Sequence, residues 1–568
     1  MTDLKTSNTL YWAWQDQYNK EQEAQTLKLL LYKGEAVFKR KHDNKIVPLG
    51  RSGNHLEFLR EFTVNAQESI KALSGQFAIV LWNPGSGQLI AITDHLASIP
   101  IYIRRCPENV TLSFSLNQIL RKEDFSMNNI SKDSLLLLFN LNFPRETRTY
   151  FKSINRVPAS SVMYIGESVH KTAKYWIPGS NTVRGSKNAS EYMQELDNLI
   201  RLSVKSHTPD YLPAVLISGG IDSTAIAYYV NQQQADKKLI TLTGVYDDLN
   251  MSEEISHLRQ VVKHLELEDH YFNCTTSNLF SENTGLAMGP QSPIWSDKLL
   301  VDKYINFLVN RGVTEVHSGI GFDNLFSGMS NTLTELIADR NFIDAFKQVV
   351  QVEQKTKAAQ LLSLFKAFTR QILFQNSKKY ATRKNAIPEY LQTSAKVRSR
   401  YLLDNLYQLP ADNVSEGKYR HHLELLNLKL GHTLQLNSEL YSERGLFFRA
   451  PLLDKALLDF FWELPCSLMF YNNQSKFLFR QVLNGKLPSN VVQRPKFIVS
   501  DMPKKGLESN AYYLNRLSHD MFLSDLGLVD EKAFRICLNH EMSESSHQFS
   551  TTLFLILCSE DWIRRYFS

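Results

Sequence analysis

VLISGGIDSTAIA, residues 215–227, decides the fold of the larger part of this chain. A fully apolar strand runs into Ser218, Gly219, Gly220, Ile221, Asp222 and Ser223, and a helix-forming sequence begins at once. Glycines let the backbone turn tightly and approach a ligand, and the amides of the turn and of the first helical residues converge on one spot that favours an anion. A pyrophosphate suits that spot. The sequence here lacks the GxxxxGK(S/T) lysine, so this is not the loop that grips β- and γ-phosphates for γ-transfer. The hydroxyls of Ser218, Ser223 and Thr224 add donors, and Asp222 offers a hard oxygen ligand for Mg2+.

Around this loop, AVLIS from Ala214, STAIAYYVNQQ, LITLTGV and SEEISHLRQVVKHL alternate strand and helix as the units of a parallel sheet do. Beyond Asn331 strand signals fade and helical periodicity dominates. Upstream, from Leu29 to Ile165, short β-rich runs are broken by Gly, Pro and Asn; FAIVLW from Phe77, the turn NPGSG and QLIAIT from Gln88 read as a hairpin. The polar stretch PGSNTVRGSKNAS after Trp176 precedes an amphipathic helix that Ser190 is placed to cap. Two domains are expected, a β-rich one over residues 1–185 and an α/β one with a helical extension over residues 188–568.

Composition narrows the function classes. The 568 residues carry 64 Lys+Arg against 58 Asp+Glu, a net charge of +6 spread over ordinary globular sequence, so a dedicated nucleic-acid binder is not indicated. The five cysteines, Cys106, Cys274, Cys466, Cys537 and Cys558, are far apart and form no zinc pattern, which suits a reducing compartment. LLLLF from Leu135 and LFLILC from Leu553 are far below the roughly 18 residues a membrane span needs and read as core segments. No basic start followed by an apolar block marks a secretory signal, and a soluble, cytoplasmic protein is expected. The basic stretch from Lys378 to Arg400 reads as a solvated face or mobile loop, with docking of a peptide or partner as the alternative.

The glycine loop resembles the pyrophosphate loop of the ATP-pyrophosphatase superfamily, in which ATP is cleaved between its α- and β-phosphates to activate a substrate as an adenylate. EVHSGIGFDNLFSG, residues 315–328, resembles the second signature of the asparagine synthetase family, SGxGxDxLFxG, with Ser318, Gly319, Gly321, Asp323, Leu325, Phe326 and Gly328. The resemblance implies ATP and Mg2+ as cofactors, with Asp222 and Asp323 binding the metal together on the phosphates. It also implies Ile217, Ser218, Gly219, Gly220, Asp222, Ser223, Val245, Ser318 and Gly319 as nucleotide contacts. FRAPLLDKALLDFFWELP, from Phe448, resembles the family's RxPFLD segment in Arg449, Pro451 and Asp454; SKFLFRQVLNGKLP, from Ser475, resembles its KxxLR...LP segment. RPKFIVSD, from Arg494, puts Lys496 where β-lactam-forming relatives keep a lysine that stabilises negative charge in acyl transfer, so Lys496 joins Asp222 and Asp323 as an implied catalytic residue.

LSGQFAIVLWNPGSGQLIAITDHLASIPIYI and TRTYFKSINRVPASSVMYI resemble the glutaminase half of asparagine synthetases, an Ntn-type sandwich. That chemistry needs a cysteine at the processed N-terminus, whereas position 2 is Thr2 and the first cysteine is Cys106. A degenerate, scaffold-like glutaminase domain is expected. An adenylating domain with no ammonia supply must use an amine brought by the substrate, and this resembles β-lactam synthetases and lasso-peptide macrocyclases. Ile320 stands between the glycines where β-lactam formers have a tyrosine, and LSHDMFLSDLGLVDEKAFRICLN, from Leu517, resembles the tail of lasso cyclases in Leu526, Gly527, Leu528 and Asp530. The same tail reads equally as a helix, a glycine C-cap and an Asp-capped helix.

The expected function is therefore macrolactam formation on a leader-free core peptide, from an Asp or Glu side chain and the peptide's α-amine. Implied partners are a leader-peptide-binding protein and a cysteine-protease-like maturation protein. The alternatives are an amide-forming synthetase for a small carboxylated metabolite and an inactive scaffold, the latter made conceivable by Asn324 in a usually acidic position. His317 is expected to be a packed histidine rather than a base.

Overall fold

The computed structural model describes residues 9–13, 28–39, 46–48, 55–107, 109–122, 124–144, 147–166, 170–177, 187–205, 212–234, 238–246, 251–275, 281–283, 287–295, 297–323, 336–337, 342–343, 345–346, 362, 365–366, 369, 387–404, 429–471, 474–494, 506, 508–543 and 550–567. In the first half, ten strands pair antiparallel: β1 (Thr9–Ala13), β2 (Lys28–Lys39), β3 (Ile46–Pro48), β4 (Leu73–Asn83), β5 (Gln88–Thr93), β6 (Tyr102–Arg105), β7 (Asn109–Ser113), β8 (Ile154–Arg156), β9 (Ser161–Ile165) and β10 (His170–Lys174). They form a six-stranded sheet, β10-β9-β5-β4-β2-β3, and a four-stranded sheet, β1-β7-β6-β8. The predicted hairpin is β4–β5, with Ala78 opposite Thr93 and Asn83 opposite Gln88. Alternate residues of β4 serve two cores: Ala78, Val80 and Trp82 cluster with Ile103, Val110 and Leu112 of the second sheet. Phe77, Ile79 and Leu81 cluster instead with Phe58, Phe62 and Ile70 of the helices His55–Val64 and Ala66–Lys71. Both faces are covered, which is why FAIVLW reads as an unbroken apolar run.

The second half is built on a fully parallel sheet. β11 (Pro213–Leu216), β12 (Ile240–Tyr246) and β13 (Glu268–Cys274) lie in sequence, a small hairpin of β14 (Ala287–Gly289) and β15 (Ser292–Trp295) intervenes, and β16 (Glu315–Ser318) and β17 (Phe447–Arg449) complete it. The order β13-β12-β11-β16-β17 reverses direction between β11 and β16. Open α/β sheets bind ligands at the carboxyl ends of their strands where the order reverses. Two sequence expectations need correction. β17 lies beyond Asn331, where helical periodicity dominates the sequence; its three residues are too few to show a period and are strand because Glu315 and Val316 pair with Phe447 and Phe448. The helix Ala189–Ser203 is capped by Asn188, not Ser190: the Asn188 side chain accepts the Glu191 amide at 3.1 Å, and Glu191 accepts the Asn188 amide at 2.7 Å. This is a reciprocal capping box.

The two halves share one core. The helix Lys132–Phe139, which contains LLLLF, and the rings of Tyr150 and Phe151 cluster with Ile556, Leu557 and Trp562 of the C-terminal helix Thr551–Tyr566, so both apolar runs are core segments as expected. Polar ties reinforce the joint. Glu439, 1% exposed on the helix Lys429–Ser442, accepts from Ser115 Oγ at 2.8 Å, the Asn117 amide at 3.2 Å and the Tyr102 hydroxyl at 3.3 Å. Arg156 donates to Gln435 on the same helix at 2.6 Å. Among the described residues no helix is long and apolar enough to cross a membrane.

His432 sits in this joint, with Ser292 Oγ 3.1 Å from its Nε2 and the rings of Phe143 and Tyr150 against it. Burial, helped by the charge of Arg156, pushes its pKa from 6.5 to about 3. The unfolded chain therefore takes up a proton between about pH 6.5 and pH 3 that the native protein refuses, and stability falls with pH in that window by up to about 1.4 kcal/mol per unit. Urea unfolding at pH 7 and pH 5 is expected to show His432→Gln losing about 2 kcal/mol less than the wild type between the two. Equal losses would place the acid sensitivity elsewhere.

Candidate nucleotide and metal site

At the carboxyl end of β11, Ile217 is buried, Ser218 and Gly220 are exposed, and Gly219 takes φ +70°, the left-handed turn expected of the loop. A Cβ at Gly219 would lie 3.3 Å from the carbonyl of Glu254. Ser223 closes the turn: its hydroxyl accepts the Ser218 amide at 3.1 Å and donates to the Gly220 carbonyl at 3.3 Å. The helix Ile221–Asn231 starts immediately, so its free amides face the same mouth.

β16 is the hydrogen-bonded neighbour of β11, with Leu216 in register with Ser318, so the second signature leaves the sheet at the same height as the first. Gly319 passes so close that a Cβ there would stand 2.7 Å from the Ser223 nitrogen and 2.9 Å from the Asp222 carbonyl carbon. Gly321, at φ +90°, turns the chain past Leu453, and Phe322 buries its ring 4.3 Å, centroid to centroid, from Phe479. Asp323 is thereby delivered opposite Asp222. The two carboxylates meet at one cation: the Lys476 ammonium lies 2.6 Å from both oxygens of Asp222 and 2.6 Å from Oδ1 of Asp323. Val245 is buried near the end of the adjoining β12.

Lys476 and two further residues were missed as site residues in the sequence. Lys476 opens the helix Phe477–Leu483 in a left-handed conformation, φ 59° and ψ 34°. Arg480 fixes that turn by donating to the carbonyl of Ser475 at 2.8 Å and to that of Val492. Burial pulls its guanidinium below the ordinary arginine range, opposed by the charge of Asp222. Arg494 pairs with Glu254 and donates to the Gly219 carbonyl at 3.4 Å, bringing its own segment to the phosphate loop. Each passage was visible as a family segment, but only the fold shows that they converge. Lys496, Asn324 and Thr2 lie outside the described residues.

Other expectations resolve differently. His317 is fully buried; burial lowers its pKa, and its Nε2 lies 3.5 Å from Glu315, so it is a packed histidine and not a poised base. Arg449 serves the sheet, pairing with Glu315 at 3.1 Å. Ile320 is half-buried against the main core. In the tail, Gly527 turns at φ +76° and Asp530 caps the next helix by accepting the Ala533 amide at 3.0 Å. Glu560 accepts the amides of Phe522 and Leu523 at 3.0 Å, and Lys132 of the first half donates to the Leu526 carbonyl at 2.6 Å. The LGLVD motif thus serves packing and capping. Within the basic stretch, Arg398 pairs with Asp133 at 2.6 Å, while residues 378–386 lie outside the described set.

Hard carboxylate oxygens carried beyond the ends of two neighbouring strands, brought around one cationic centre, fit a divalent ion held by one or two carboxylates and completed by phosphate oxygens. Asp222 and Asp323 would hold it, and the ion would supply charge neutralisation for bound phosphate oxygens. The loop amides offer the phosphate cradle.

A sequence model described as asparagine synthase matches residues 195–564, well over half of the chain. The chain belongs to the asparagine synthase family. A glutamine amidotransferase domain matches residues 57–176. Asparagine synthetase 3 of Bacillus subtilis is 21% identical over 461 residues, 76% of this chain and 68% of the relative. Asparagine synthetase 1 of the same organism is 20% identical over 445 residues, 76% and 68%. Carboxyethyl-arginine β-lactam synthase of Streptomyces clavuligerus is 25% identical over 238 residues, covering 41% of this chain and 42% of that one. This asparagine synthase family member accordingly joins an amidotransferase-like sandwich to an ATP-dependent, amide-forming ligase domain.

Proposed function

We propose that the protein is a lasso-peptide cyclase. An Asp or Glu side-chain carboxylate of a leader-free core peptide attacks the α-phosphorus of ATP, and pyrophosphate leaves. The peptide's α-amine then attacks the acyl carbon, the bond to phosphate breaks, AMP leaves, and the amine gives up its proton. Pre-folding of the peptide replaces a second reactant by effective molarity.

The observation that carries this reading is the Asp222–Lys476–Asp323 constellation beside the phosphate loop, which supports adenylation, combined with Ile320. An aliphatic side chain at that position offers no proton acceptor, which suits an α-amine, with its ordinary pKa of about 7.7–8.0, better than a strongly basic amine. Cys106 is half-buried in the turn between β6 and β7, its amide bonded to Asn109 at 2.9 Å, and lies within the chain and not at a processed N-terminus. A leader-peptide-binding protein and a cysteine-protease-like maturation protein would complete the pathway.

A second reading, an amide-forming synthetase for a small carboxylated metabolite, is favoured by the likeness to the β-lactam synthase. Synthetic peptides with an N-terminal Gly and an acidic residue several positions later separate the two. Peptide-dependent ATP–pyrophosphate exchange, with a product lighter by one water, is expected. Exchange with ammonia or small acids but not peptides would favour the metabolite reading, and none with any substrate would leave a scaffold.

A further inference from the structure

We infer that Lys476 is an internal stand-in cation, which holds the two metal ligands together in the nucleotide-free protein and must be displaced when the metal enters. The inference rests on reading Asp222 and Asp323 as the metal pair, and not on which substrate is adenylated.

An ammonium has three N–H donors. Here it donates to both oxygens of Asp222 and pairs with Oδ1 of Asp323, each at 2.6 Å. The Lys476 side chain is only 7% exposed, so this is a built site and not a surface pairing. Two carboxylates brought this close beyond the ends of neighbouring strands repel unless a cation intervenes. Lys476 supplies that cation from 254 residues away in sequence. Its root is held rigidly: the left-handed backbone is unusual for a residue with a side chain, and Arg480 locks the turn from both sides. Its flexible four-carbon stem leaves the head free to move while the root stays.

Divalent ions of the magnesium kind bind carboxylate oxygens at about 2.0–2.1 Å. An ion at that distance from Asp222 and Asp323 takes the same oxygens that Lys476 now occupies, and like charges exclude the two from sharing them. Metal alone must therefore compete with a covalently tethered ammonium, whereas metal arriving with a nucleotide brings phosphate anions that offset the displaced charge. The consequence is synergy: weak metal binding without nucleotide, and strong binding with it.

Mn2+ binding to the full chain, followed by electron paramagnetic resonance with and without α,β-methylene ATP, tests this. Wild type is expected to bind Mn2+ weakly alone and much more tightly with the nucleotide. Lys476→Met is expected to bind Mn2+ alone on the order of ten-fold more tightly than wild type. Its melting temperature should rise when Mg2+ replaces EDTA, where wild type barely responds. Lys476→Arg, which keeps the charge, should restore weak binding. Lys476→Gln takes the place of the methionine variant should that not fold, and the wild-type arm needs no variant. Unchanged or weaker Mn2+ binding in Lys476→Met or Lys476→Gln overturns the inference while leaving the metal pair intact. So does tight nucleotide-free binding by wild type that Asp222→Asn abolishes. No Mn2+ binding to any form, with or without nucleotide, overturns the metal-pair reading together with it.

Discussion

Asp222→Asn is expected to lower ATP–pyrophosphate exchange by at least about a thousandfold, with far-ultraviolet circular dichroism unchanged. Asparagine keeps the shape and can still accept a hydrogen bond from Lys476, but it removes one of the two negative charges around which the site is assembled. The cost to the fold is small. Asp222 lies in the first turn of the helix Ile221–Asn231, where an acidic side chain contributes about 0.3–1 kcal/mol through the helix dipole. Activity and stability should therefore separate. Exchange within tenfold of wild type would mean that the charge of Asp222 is not used in the chemistry.

Gly319→Ala is expected to reduce exchange at least about a hundredfold and to cost about 1–3 kcal/mol of stability. The added methyl would meet backbone, the Ser223 nitrogen at 2.7 Å, the Asp222 carbonyl carbon at 2.9 Å and the Ser223 Cα at 3.0 Å, and none of these can rotate away. One loop must move off the other, and the separation of Asp222 from Asp323 changes with it. Gly312→Ala is the contrasting control: Gly312 has the left-handed φ of +70° that Gly319 lacks, and nothing lies within 4 Å of its Cβ. That variant should lose about 1 kcal/mol and keep its exchange rate. Equal loss of exchange in the two would show that the contact between the loops is not what matters at Gly319.

How much was legible in the sequence follows from how local each feature is. The strand, glycine turn and helix from Val215 to Ala227 are contiguous and declare themselves, as does the β4–β5 hairpin. The tail shows the limit of motif reading: its glycine and aspartate have complete local roles as a turn and a cap. Features held by distant partners were not legible. β17 is a strand because β16 lies beside it, and Lys476 is a site residue because two distant segments, each following a strand, present carboxylates to it. The Ser190 expectation failed for a smaller reason. Asn188 and Ser190 are both good caps, and Glu191, three residues beyond Asn188, selects the former.

The shared core also gives the first half a physical task apart from any glutaminase chemistry. It buries one end of the C-terminal helix and holds the tail through Lys132. A protein that had no further use for ammonia could not shed that half without exposing Trp562 and its neighbours.

In the proposed function, Asp222 and Asp323 clamp a metal against nucleotide phosphates seated on residues 218–223. A crystal structure of the full chain with α,β-methylene ATP and Mg2+ tests it most directly. The expected result is the metal between the two aspartates, phosphate oxygens on the amides of the glycine turn, and Lys476 withdrawn from at least one carboxylate. A triphosphate lodged elsewhere, with Lys476 still bridging both aspartates, would contradict it.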